Sequence, residues 1–155
     1  MKRRLDLCVV VAGVILFLPS CASLTLEQVD FGWPVEGVLV VNNANYIEEG
    51  RYALAFNVAQ LALEEFQDST ALRGATLRVL RNTEGYYFIT GPKFKNAYVF
   101  SPGPHELSLK SKIEVTKYVL RNPAFNQRPP YVELIDGDNY RVLLTSDETV
   151  EGKKP

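Results

Sequence analysis

The chain is poor in the residues that carry most catalytic and metal chemistry. It has one histidine, His105, and two cysteines, Cys8 and Cys21, in 155 residues. Catalytic triads and most zinc sites need a histidine held by positioned partners. His105 stands between Pro104 and Glu106, a context that reads as a solvated loop. A G-x-S-x-G elbow, a phosphate loop, a dinucleotide fingerprint, H-E-x-x-H and S-x-x-K are all missing from the sequence. No catalytic residue, metal site or cofactor is therefore expected, and the chain reads as a non-enzyme.

The acidic motifs point the same way. Asp136-Gly137-Asp138-Asn139 has the opening of a calcium loop, but position 12 is Asp147 rather than glutamate. The run reads as a hairpin turn. Glu48-Glu49 and Glu64-Glu65 are sequence neighbours. Paired glycosidase carboxylates instead face each other across a cleft, so both pairs read as solvated faces.

Long hydrophobic runs are also scarce. The longest, Leu7 to Leu18, is 12 uncharged, mostly apolar residues, fenced by Asp6 and Pro19. A membrane-spanning helix needs roughly 20. With Lys2, Arg3 and Arg4 ahead of the run, residues 1–20 read as a secretory signal peptide. The string Leu18-Pro19-Ser20-Cys21 that follows resembles the lipobox of bacterial lipoproteins, although Pro19 departs from the residues usual at its position. The resemblance implies cleavage before Cys21 and lipidation of that cysteine. It also implies a membrane as partner through the lipid and a location in the cell envelope. Ala22 and Ser23, rather than aspartate, then imply the outer membrane if the source has one. A single acyl chain anchors only marginally, so the several chains that lipoproteins carry make attachment durable.

Cleavage removes Cys8, and lipidation occupies Cys21. The mature domain then holds neither a free thiol nor a disulfide and must be stabilised by packing alone. Loss of residues 1–20 takes three bases and one acid, leaving a net charge of −3. That balance speaks against nucleic acid as a partner. Charge is blocked along the chain: residues 27–68 hold eight acids and one base, and residues 73–121 hold nine bases and three acids. Interleaved strands are expected to mix these blocks at the surface.

The remainder is organised as residues 21–30, a lipidated tether; 31–146, one β-rich domain; and 147–155, a flexible tail. Val38 to Val41 is a strand-length apolar run. Residues 51–66 carry two periods at once. Tyr52, Leu54, Phe56 and Val58 alternate as in a strand, while Tyr52, Ala55, Phe56, Ala59, Ala62 and Leu63 share a helical face. Either a strand over 51–58 followed by a short helix, or one helix over 51–66, fits. From Ala75 onward the pattern is β: 76–81 and 86–90 flank Asn82-Thr83-Glu84-Gly85, and 131–135 and 140–144 flank Asp136–Asn139. Residues 106–116 form the cleanest amphipathic strand, with Leu107, Leu109, Ser111, Ile113 and Val115 on one face and a bend expected near Ser111. Short strands separated by Gly, Pro, Asn and Asp turns predict an antiparallel β-sandwich-like domain or a small barrel. Sixteen of the 17 aromatic residues follow Cys21, enough for a two-sheet core.

Two features suggest binding. Tyr86, Tyr87, Phe94 and Tyr98 lie in an aromatic stretch with Lys93 and Lys95, and outward-facing rings there would form a stacking platform. Arg128 closes a polar run, Asn126-Gln127-Arg128, between Pro123 and Pro129-Pro130, read as a rigid recognition loop. The sequence thus predicts a lipid-anchored envelope protein whose non-catalytic domain binds a protein or glycan. A structural subunit of an export or transport assembly, and a hydrolase of cell-wall or surface polymer using dispersed carboxylates, are the competing classes.

Overall fold

A computed structural model describes residues 35–52, 54–104 and 106–150. Residues 1–30, read from the sequence as signal peptide and lipidated tether and including Cys21, fall outside them, as do His105 and the last five residues. The domain is mainly β and its strands pair antiparallel. One sheet has the order β1-β4-β5-β6-β7, from Gly37–Val40, Thr76–Arg81, Tyr87–Thr90, Asn96–Pro102 and Leu107–Glu114. A second has the order β11-β10-β9-β8, from Thr149–Val150, Tyr140–Leu144, Tyr131–Asp136 and Pro123–Arg128. A two-stranded hairpin, β2 (Tyr46–Glu49) and β3 (Leu54–Asn57), leads into the single described α-helix, α1 (Ala59–Phe66). The sheets are open rather than closed into a barrel, so of the two predicted architectures the sandwich is the one adopted. Among the described residues no helix is long and apolar enough to cross a membrane.

The strand registers assign the faces. Leu80, Phe88, Val99 and Ser111 are successive partners across β4–β7, so they share one face. That face meets the second sheet: Phe88 packs edge-on against Phe125 at 6.2 Å between ring centroids, and the Ser111 hydroxyl donates to the Ser146 carbonyl at 2.6 Å. The opposite face carries Val79, Ile89, Tyr98 and Lys112. It is covered by the hairpin and α1, with Ile47, Val58, Leu61 and Phe94 in the same core cluster. A third layer therefore caps the sandwich. This is why all four residues of β5 are buried, where a sheet with one wet face would alternate.

The ambiguous residues 51–66 resolve as strand, then helix. Asn57 makes the switch: its Oδ1 accepts the Ala59 N–H at 2.8 Å and satisfies a donor of the first helical turn. Both expected hairpins form, with Gly85 at φ 92° and Gly137 at φ 61°, values that favour glycine. Two sequence readings are corrected. Residues 123–128 are not a loop but the edge strand β8, with Pro123 at its first position, where a missing N–H is tolerated. The tail does not begin at 147, because Thr149 and Val150 pair with Leu144 and Leu143.

β7 departs from its expected pattern in a way that shapes the surface. Val99 pairs with Ser111 but Phe100 pairs with Leu109, which leaves Lys110 as an extra residue. Successive residues point to opposite sides of a sheet, so one inserted residue exchanges the faces. Ile113 stays on the sandwich side and is 4% exposed, whereas Leu109 joins Tyr98 and Phe100 on the other side and is 51% exposed. The bend expected near Ser111 is this bulge, and it splits the apolar row that was expected to lie on one face.

Candidate functional site

The bulge opens a groove. Phe56, Tyr98, Phe100 and Leu107 line it, β3 and the start of α1 border it, and Leu109 stands at its edge. Its volume is about 490 Å³, within the range of ordinary ligand sites. A second depression of about 290 Å³ shares Ala55, Phe56, Glu106 and Leu107 with it and continues past Leu54 and Tyr87 to the Pro102-Gly103-Pro104 turn. Together the two follow β3 from residue 54 onward. The lining is apolar and aromatic, with Glu64 and Glu106 at the rim. Neither carboxylate has an ion-pair partner among the described residues; Glu64 accepts from Gln60 at 3.4 Å and Glu106 from Ser108 at 3.2 Å.

Glu65, next to Glu64, does different work. Its Oε1 accepts the Lys95 backbone N–H at 2.5 Å, and its Oε2 accepts the Asn96 amide and the Tyr98 hydroxyl, each at 2.7 Å. One carboxylate thus docks α1 onto the start of β6. Burial, then the hydrogen bond to Glu65, hold the Tyr98 phenol well above its usual range, so it remains a donor. Phe94 supports the joint, edge-on to Tyr98 at 6.1 Å and to Phe66 at 5.2 Å. The first acidic pair divides similarly. Glu48 is exposed, whereas Glu49 is buried and receives Arg51 Nε at 2.8 Å and Nη2 at 2.7 Å. Those hydrogen bonds lower its pKa despite burial. The reading of both pairs as solvated holds for Glu48 and Glu64 and fails for Glu49 and Glu65, because period-2 and helical geometry turn neighbours in different directions.

The residues singled out from sequence are dispersed. Tyr98 lines the main groove and Tyr87 the adjoining depression, but both rings are buried, as is Phe94. Tyr86 is half-buried beneath Lys110, whose Nζ lies 5.3 Å from its ring centroid. These rings therefore present no shared outward platform. Arg128 lies on the outer face of the second sheet, where its Nε is 3.2 Å from buried Glu133, with Arg141 at 3.9 Å on the other oxygen. The groove residues that sequence reasoning passed over are Phe56, Glu64, Glu106 and Leu109. Only the bulge brings Leu109 there, and the local alternation carries no sign of it.

Among the described residues no group of three or more His, Cys, Asp or Glu side chains is arranged to hold a metal. Comparison with protein-family models, curated proteins and solved structures finds no match to this chain. The class is accordingly defined by architecture: an antiparallel β sandwich capped by a hairpin–helix layer, with a groove between cap and sheet.

Proposed function

We propose that this is a lipid-anchored envelope protein whose domain is a non-catalytic binding module, and that its groove receives a segment of a partner protein. The groove itself carries the reading: an apolar floor left open at the surface, bordered by two carboxylates without ion-pair partners. Exposed apolar concavities of this kind mark binding sites. A protein segment fits better than a glycan, because the edge of β3 left unpaired among the described residues runs beside the groove and offers backbone hydrogen bonds to a peptide. The anchor is Cys21, on the strength of the lipobox-like string before it.

The anchor is tested by the mass of the mature protein extracted from membranes. A chain beginning at an acylated Cys21 is expected. C21S is expected to remain uncut or unlipidated; mature C21S with unchanged membrane affinity contradicts the proposal.

A further inference from the structure

We infer that the groove's occupant is an extended peptide, apolar with a flanking lysine or arginine, that adds as a strand along β3. The inference rests on the groove being a binding site and specifies what fills it.

The first observation is a free strand edge. β3 pairs with β2 and with no other strand among the described residues, through Tyr46↔Asn57, Ile47↔Phe56, Glu48↔Ala55 and Glu49↔Leu54. Alternate backbone N–H and C=O groups of a strand paired on one side point away from its partner. Such an edge is a template for an incoming strand.

The second observation is the shape beside that edge. The groove and the adjoining depression share Ala55 and Phe56 and continue each other along the strand. A compact ligand would fill one pocket, whereas an elongated pair suits a chain in extended conformation. Side chains on such a chain alternate, so every second one would meet Phe56, Phe100 and Leu107.

The third observation is charge. Glu64 and Glu106 border the groove without ion pairs among the described residues. Lys112 is close, 5.5 Å over the Tyr98 ring, but it donates to the Glu64 carbonyl at 3.2 Å and not to a carboxylate. A cationic residue on the ligand complements this rim, and an acidic one is repelled.

The test uses random decapeptides displayed against the full-length chain in detergent micelles. Enriched peptides are expected to carry apolar residues at alternate positions beside a Lys or Arg. The double variant E64Q/E106Q is expected to bind them about tenfold more weakly at low salt. Methylating alternate peptide nitrogens, which removes donors and keeps every side chain, is expected to weaken binding by about tenfold or more. Peptides that Leu109→Asp abolishes, yet that tolerate methylation at every position or carry acids in place of bases, overturn strand addition while leaving the groove a binding site. Peptides indifferent to Leu109→Asp, or no enriched peptide at all, overturn both; a thermal melt confirms that the variant is folded.

Discussion

The Glu36 carboxylate accepts the backbone N–H of Phe125 at 2.6 Å and Arg78 Nη1 at 3.1 Å, joining residues 89 positions apart. Phe125 is in β8 and Arg78 in β4, so one side chain clips the edge of the second sheet to the first. Glu36→Ala leaves an edge N–H and a half-buried guanidinium short of a partner. It is expected to cost about 2 kcal/mol in urea unfolding. Desolvation raises the pKa of Glu36, outweighing both hydrogen bonds and the arginine. The folded state then holds the proton more tightly, so this contribution is full in acid and is lost as pH rises through the raised value. The stability of wild type relative to E36Q should fall as pH climbs out of the ordinary carboxylate range and then level off.

Glu49 has the opposite sign. Its hydrogen bonds from Arg51 lower its pKa, so its contribution is present above the ordinary carboxylate range and is lost as pH falls through the lowered value. Glu49→Gln is expected to cost about 1–2 kcal/mol at neutral pH, with the difference from wild type closing in acid. Gly37→Ala should disturb the same pair, because a Cβ there would collide with the Glu49 carboxylate and the Arg51 guanidinium. Denaturant midpoints across pH check both.

The joint between α1 and β6 makes a coupled set. Tyr98→Phe removes one of three donors to Glu65 and is expected to cost about 1 kcal/mol. Glu65→Ala strips all three of their acceptor and is expected to cost about 3 kcal/mol. The double variant should be less damaging than the two singles added together, since the Tyr98–Glu65 bond can be lost only once. Additive costs would show that the hydroxyl and carboxylate act independently.

Leu109 and Ile113 lie on one strand but on opposite sides of the bulge. Ile113→Ala, in the core, is expected to cost about 2–4 kcal/mol. Leu109→Ala, at the exposed groove edge, should stay within about 0.5 kcal/mol of wild type. Equal costs in thermal unfolding would show that the two segments of the apolar row share a face after all.

How much of this was legible depended on whether local chemistry or a distant partner decided the geometry. The hairpins at 82–85 and 136–139 were readable because Gly85 and Gly137 supply positive φ on the spot. The paired helical and strand periods of 51–66 reflected a real succession of both elements, and Asn57 set the boundary through a contact of only two residues. The irregularity of β7 was readable only as a bend near Ser111, from the strand's length; the face exchange at Lys110 was not, because residues 107–115 alternate without interruption and the slip is defined by pairing with β6. The aromatic stretch misled for a related reason. Alternation predicts outward rings only when one face of the sheet is wet, and here α1 and the β2–β3 hairpin cover that face. The acidic rim was invisible for the same cause, since Glu64 and Glu106 lie 42 positions apart in sequence and only the fold sets both beside one groove.

The most direct test of a partner-binding groove is site-specific photocrosslinking in living source cells, with the full-length chain carrying a photoreactive residue at Leu109 or, as control, at Arg141 on the outer face of the second sheet. A discrete polypeptide adduct is expected from position 109, diminished by E64Q/E106Q and absent from position 141. No adduct from position 109, or the same adducts from both positions, would contradict the groove as the binding site.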